Sequence, residues 1–251
     1  MSDTVSFQQV AWPDKEPMRW PQALDKGDIH CWLFSLDRDD DESLLSQEER
    51  ARAAKFHFAR DQRRFIAGRA ARRRILAGYL GALPAQLAFD EGAQGRPFLG
   101  DHDLNFNMSR SNGWGLVAIS ESNVLGVDIE AVSMSDDLRD VAVDNFSPAE
   151  RGSLGGLCGD IWVQGFFNCW TRKEAVVKAV GQGLSMPLDC FDVTLAPDAR
   201  AQILRADGEA QEARAWSLTA FNPLDGYCAA IASDIAAPNL HFFQLNAPDS
   251  V

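Results

Sequence analysis

Residues 126 to 130 read Gly-Val-Asp-Ile-Glu, and residues 170 to 178 read Trp-Thr-Arg-Lys-Glu-Ala-Val-Val-Lys. Asp128 and Glu130 lie two apart in a run of strand-forming residues, so both side chains leave one face of a strand. Glu174 and Lys178 lie four apart in a strongly helical stretch and share a helix face. Three carboxylates and one ammonium in this arrangement can hold a divalent cation beside a phosphate. Oxygen ligands with no neighbouring His or Cys favour Mg²⁺, which keeps waters and accepts substrate phosphates as further ligands. Taken singly, each motif also matches a solvated strand face or an ordinary exposed helix pair. The chemistry therefore rests on the two together and on the blocks around them.

The elements that must position these groups are legible in outline. Ile29 to Leu36 is a continuous apolar run, the mark of a buried strand. Ser46 stands three before Glu49, a capping-box spacing that opens a helix. Apolar positions from Phe65 to Leu80 suit one helical face, with Gly81 placed to end it. Strands are expected at 86–89, 97–99, 104–107, 114–120 and 124–130, the last two joined as a hairpin through Glu121-Ser-Asn123. Ser147-Pro-Ala-Glu150 opens a further helix, and 160–180 is a long helix closed by Gly181. Strands at 191–195, 215–221 and 227–232 follow. The fold expected is α+β: two similar lobes meeting near residue 122, each a long helix packed on an antiparallel sheet, with the site at their interface. Residues 1–27, with Trp12-Pro13 and Trp20-Pro21, read as an extended arm packed onto the body, and 239–251 as a tail.

Composition narrows the function classes. The 251 residues suffice for one large domain or two lobes sharing a core. No apolar run reaches the length of a membrane span, and no signal-peptide pattern opens the chain. Five scattered cysteines, an odd number without a C-x-x-C pair, point to reduced thiols in the cytoplasm. The four histidines are isolated in sequence, which argues against zinc. A net charge of −12 argues against nucleic-acid binding. Yet ten Lys/Arg and one acid fall between Arg50 and Arg74. Such a strip suits a compact polyanion or an acidic protein partner, although each arginine could equally serve a solvated helix face.

These blocks resemble the 4′-phosphopantetheinyl transferases, in their two-lobed form of the Sfp type that acts as a monomer. The resemblance runs in order through Phe58-Ala-Arg-Asp61 with Gly68-Arg69, Gly95-Arg-Pro97, Asn105-Phe-Asn-Met-Ser109, Gly126-Val-Asp-Ile-Glu130, and Trp170-Thr-Arg-Lys-Glu174 with Lys178, Ala179 and Gly181. It implies transfer of phosphopantetheine from coenzyme A to a serine of an acyl or peptidyl carrier protein, releasing adenosine 3′,5′-bisphosphate. Lobe 28–122 would take the adenosine and its phosphates, and lobe 123–238 the metal and the carrier.

By that resemblance Asp128, Glu130 and Glu174 would hold Mg²⁺. Glu174 would also act as base toward the carrier serine, directly or through a water, and Lys178 would stabilise the departing bisphosphate. Crowding three acids should leave a carboxylate pKa raised in the absence of metal. Arg52 and Arg96 match phosphate-binding positions, Gly95 would let backbone approach the adenine, and Ser109 would hydrogen-bond a phosphate or simply form a turn. Trp170 reads as a core anchor beneath Glu174. Where much of the family has Ser-His-Ser, this chain has Ser109-Arg110-Ser111; arginine keeps the cation but carries no proton near neutrality. The carrier would dock beside Val132, Met134 and Leu138. Two other readings of the same residues are a non-catalytic regulator binding coenzyme A or a nucleotide, and a Mg²⁺-dependent phosphohydrolase.

Overall fold

The computed structural model describes residues 5–11, 20, 22–92, 94–100, 102–121 and 123–246, except for the side chains of Leu184 and Glu209. In chain order the strands are β1 (Gln8–Ala11), β2 (Asp28–Ser35), β3 (Asp90–Glu91), β4 (Pro97–Phe98), β5 (Leu104–Ser111), β6 (Trp114–Glu121), β7 (Leu125–Ala131), β8 (Phe191–Val193), β9 (Ile203–Ala206), β10 (Ser217–Phe221), β11 (Tyr227–Ser233) and β12 (Asn239–Asn246). The helices are α1 (Gln47–Ala53), α2 (Ala59–Leu80), α3 (Leu138–Asn145), α4 (Pro148–Gly155) and α5 (Gly159–Val180). One sheet has the order β1-β12-β2-β6-β5 and the other β10-β11-β7; β3-β4 and β8-β9 are small ribbons. The protein is α+β, in four layers.

Alternation along β2 explains the layering. Trp32 and Phe34 face α2, where they join Ala71, Ile75 and Leu76. Ile29, Cys31 and Leu33 face the second sheet, against Leu125, Val127, Ile129 and Ile231. Both faces of the strand are buried, so its sequence is an unbroken apolar run. The outer face of the second sheet, with Ala230 and Ala232, is covered by Phe166, Ala175 and Ala179 of α5.

The halves repeat one plan, β2-β6-β5 under α2 and β7-β11-β10 under α5. Both long helices end at a left-handed glycine, Gly81 at φ 61° and Gly181 at φ 82°. Ser46 and Ser147 each close a complete capping box, with Glu49 and Glu150. Each of these glutamates then takes a buried cation from the long helix. Arg73 reaches Glu49 at 2.8 Å and donates to the Pro84 and Leu87 carbonyls. Lys173 reaches Glu150 at 2.9 Å and donates to the Leu188 and Phe191 carbonyls.

Several expectations are corrected. β6 and β7 do not form the expected hairpin, because they belong to different sheets. The hairpin lies one strand earlier, where β5 turns into β6 through Asn112 (φ 39°) and Gly113 (φ 91°). The strand expected at 86–89 is absent: residues 84–86 form a short 3₁₀ turn, and β3 begins only at Asp90. The expected tail enters the first sheet as β12, which runs parallel to both β1 and β2, so that sheet is mixed and not antiparallel. The arm supplies β1, and Trp20 donates to the Ile75 carbonyl at 2.7 Å. Trp12, Pro13, Pro21 and residues 247–251 lie outside the described residues.

Candidate active site

The site forms where the edge strand of one sheet meets the edge strand of the other. β5 and β7 share no backbone ladder. Side chains join them instead, from alternate positions of β5. Asn107 Oδ1 accepts from Val127 N at 3.0 Å, Ser109 Oγ donates to Asp128 Oδ1 at 2.7 Å, and Ser111 Oγ donates to Glu130 Oε2 at 2.7 Å. Ser111 Oγ also accepts from Ala131 N at 3.0 Å. Asn107 and Ser111 were missed as site residues in the sequence. Their signal was the period-two Asn-x-Ser-x-Ser matching the period-two Asp-x-Glu.

β7 lies directly on the backbone of α5, and Gly126 permits it. A Cβ there would stand 2.2 Å from the Ala175 carbonyl oxygen and 2.4 Å from Ala179 N. This approach brings Lys178 Nζ to 2.5 Å from Asp128 Oδ1 and 3.0 Å from Ser109 Oγ. Helix periodicity divides the Trp-Thr-Arg-Lys-Glu block. Arg172 and Lys173 turn away, Arg172 to Thr194 and Lys173 to its buried pair with Glu150. Glu174 and Lys178, one turn apart, are left half-buried on the site side. Trp170 stacks on Phe166 with rings 6.2 Å apart, within the core of the second half.

The three carboxylates are short of positive charge. Asp128 is 1% exposed; its Oδ1 takes Ser109 and Lys178, while its buried Oδ2 has no partner. Burial, with the neighbouring Asp128 charge, pushes Glu130 up to about 7. Burial also raises Glu174 and Asp128, against the opposing pull of Lys178. An orphaned carboxylate oxygen beside two acids reluctant to ionise fits a cation-binding role. The oxygen-only donor set suits Mg²⁺. With Lys178 on Asp128, the three carboxylates do not yet converge as a ligand cluster; among the described residues only Asp28, His30 and His241 bring ligand atoms within 4.8 Å of one another.

From Lys178 a cleft of about 290 Å³ runs between the halves, past Gly181 and Gly183, the 94–97 loop, Asn107, Met108 and Arg110, to Gly68, Arg69 and Arg72 of α2. A second hollow continues it past Gly95 and Pro97 to Arg52, Phe65 and Phe89. Gly95 holds φ 70° in the turn between β3 and β4, a conformation that favours glycine. Arg52 and Arg110 are exposed at the rim. Arg110 loses basicity to partial burial and to the Arg52 charge, and Arg69 and Arg72 lie close enough to feel Arg110 as well. Arg69 and Arg72 are site candidates that the helix pattern concealed within the basic strip.

Three predicted residues behave differently from expectation. Arg96 lines the cleft, but its guanidinium also donates to the carbonyls of Lys178, Phe106 and Leu125, tying α5, β5 and β7 together. Ser109 stands within a strand, not a turn, and orients Asp128. Leu138 is buried in the core of the second half with Val132 packed on it, so of the three expected docking residues only Met134, 72% exposed, offers an apolar surface.

Comparison with known proteins bears on this geometry. A family model of the 4′-phosphopantetheinyl transferase superfamily matches residues 124–232, and a model of the 4′-phosphopantetheinyl transferase N-terminal region matches residues 39–122. The 4′-phosphopantetheinyl transferase HetI of Nostoc sp. is 36% identical over 233 residues, 89% of this chain and 94% of that protein. The chain belongs to the 4′-phosphopantetheinyl transferase family. The transferase is also similar to Sfp of Bacillus subtilis, at 30% identity over 162 residues, 64% of this chain and 71% of that protein. Another Bacillus subtilis 4′-phosphopantetheinyl transferase is 33% identical over 167 residues, 66% of this chain and 73% of that one. The two family models meet where the chain crosses between the sheets. The protein is an enzyme that transfers phosphopantetheine to carrier proteins, which leaves the regulator and phosphohydrolase readings without support. Among the described residues no helix is long and apolar enough to cross a membrane.

Proposed function

We propose that the phosphopantetheine comes from coenzyme A, that its acceptor is a serine of an apo acyl or peptidyl carrier protein, and that adenosine 3′,5′-bisphosphate leaves. The observation that carries this reading is the unpartnered Asp128 Oδ2, with Glu130 and Glu174 nearby, joined through Lys178 to an arginine-lined cleft. Asp128, Glu130 and Glu174 would hold Mg²⁺, which when bound neutralises charge building on the pyrophosphate oxygens.

The chain's own groups supply the rest. Glu174 lacks a hydrogen-bond partner among the described residues, and its raised pKa suits a base that takes the proton from the serine hydroxyl. Lys178 lines the cleft and stabilises the negative charge of the departing bisphosphate. Arg52, Arg69 and Arg110 receive the adenosine phosphates, and the Gly95 turn lets the adenine approach backbone. Arg96 lines the cleft and also fixes the strands. The carrier docks beside the end of β7, against Met134. The five free cysteines support a cytoplasmic setting, and we read the enzyme as a monomer.

The test is to incubate the enzyme with coenzyme A, Mg²⁺ and an apo carrier and to weigh the carrier. A gain of one phosphopantetheine arm, lost in Asp128→Ala and Glu174→Ala with their fold intact, is expected. Full turnover by Glu174→Ala at saturating Mg²⁺ would overturn its assignment as ligand and base.

A further inference from the structure

Asp28 and His30 of β2 resemble Asp128 and Glu130 of β7 in spacing and in the face they use, though not in register within the repeat. Both pairs are two apart on a strand, on the face toward the long helix. In the second half the neighbouring edge is β5; in the first half that position is taken by β12, which pairs parallel to β2 with His241 in register with His30. The sequence keeps these histidines far apart, and the fold sets their rings 5.1 Å from one another.

We propose that Asp28, His30 and His241 form a second metal site, selective for a transition metal of the zinc class and distinct from the carboxylate site. One ligand atom from each lies within 4.8 Å of the others. His241 Nε2 stands 3.5 Å from Asp28 Oδ2. Ligands about 2.0–2.1 Å from a tetrahedral centre lie roughly 3.3 Å apart, so this pair is already at chelating distance. His30 is 0% exposed, and its Nε2 is buried with no hydrogen-bond partner. With Nδ1 engaged by Tyr79 Oη at 2.7 Å, Nε2 is the nitrogen left to face the cluster.

Each ligand also has a partner that holds it. Tyr79 Oη, which accepts from Trp32 Nε1 at 2.7 Å, pairs with His30 Nδ1 and takes its N–H in the tautomer that frees Nε2 for a metal. The Gln22 amide lies 2.9 Å from His241 Nδ1 and presents its oxygen to that N–H after an end-for-end flip. Asn239 donates to Asp28 Oδ1 at 3.1 Å, and Asp25 N donates to Oδ2 at 3.3 Å. A second partner on each ligating group is how proteins orient a metal ligand. Two imidazoles and one carboxylate suit zinc, cobalt or nickel and disfavour Mg²⁺. Three protein ligands leave a fourth position for water. Because β2 gives two ligands and β12 the third, the metal pins the last strand of the sheet to its centre.

The experiment is a Co²⁺ titration of the full chain, stripped with chelator and kept in excess Mg²⁺ so that the carboxylate site does not report. One equivalent should bind with the visible bands of low-coordinate nitrogen and oxygen ligation, and Zn²⁺ should displace it and raise Tm. His241→Gln, a partly exposed position outside the transfer machinery, should keep its metal-free Tm and its transferase activity while weakening Co²⁺ binding more than about tenfold. Asp28→Asn, equal in shape, provides a second variant should the first fold poorly. No saturable Co²⁺ binding by the wild type would overturn the proposal. So would equal affinity in either variant, or a spectrum of thiolate ligation.

Discussion

Gly126→Ala tests whether close packing of strand on helix sets the active-site geometry. The added methyl would stand 2.2 Å from the Ala175 carbonyl oxygen, where real Cβ atoms keep at least 3.0 Å. The neighbours are helix backbone and cannot rotate away, so β7 must retreat by about 0.8 Å. Overpacking of this kind costs about 1–3 kcal/mol. Asp128 and Glu130 ride on the same strand and would move away from Glu174 and Lys178. A displacement near 1 Å between reacting groups costs about 100-fold in rate. The assay is kcat by carrier mass, with Tm measured in parallel. Gly152→Ala serves as control: its methyl meets nothing within 4 Å in α4 and should stabilise by about 0.4–1 kcal/mol with kcat unchanged. If Gly126→Ala kept both wild-type Tm and kcat, the strand–helix contact would not govern the site.

Three further outcomes are expected. Glu130 titrates near 7 when folded against 4.5 for an ordinary glutamate, so the native chain holds a proton that the unfolded chain releases in that window. Metal-free stability should therefore fall as pH rises from about 4.5 to about 7, and Glu130→Gln should flatten the dependence; equal slopes of urea midpoint against pH in the two proteins would contradict it. Lys173→Met strands Glu150 in the core and should cost about 3–5 kcal/mol by denaturant titration, with Glu150→Gln added to it restoring part of the loss. Arg110→Ala should weaken coenzyme A binding by about 1.5–3 kcal/mol at every pH; if calorimetry shows dephospho-coenzyme A bound equally by variant and wild type, Arg110 reads the 3′-phosphate.

What the sequence disclosed was what neighbouring residues decide. Ser46 and Ser147, each with a glutamate three residues on, announced their helices, and Gly81 and Gly181 closed theirs, because caps are settled within one turn. The pairing of strands was not legible, since any two runs of similar length can pair. Glu121-Ser-Asn123 passed for a hairpin, while Asn112-Gly113, whose positive φ angles a tight β-turn requires, was the stronger signal. β12 looked like a tail because its partners lie more than 200 positions earlier in sequence. The carboxylates and Lys178 were readable from periodicity. The task of Arg96 was not, because nothing local says that three carbonyls from three elements will converge on it.

The wall of the cleft is built by two different rules. Between β6 and β5 the spacing is set by main-chain hydrogen bonds and is the same whatever the side chains. Between β5 and β7 it is set by the lengths of Asn107, Ser109 and Ser111. A main-chain ladder offers point mutation almost nothing to act upon, but this seam is spelled out in three codons. Exchanging serine for threonine, or asparagine for a longer amide, changes the gap between two otherwise intact halves. The width of the cleft is thus a heritable dimension that single substitutions can reset without redesigning either half.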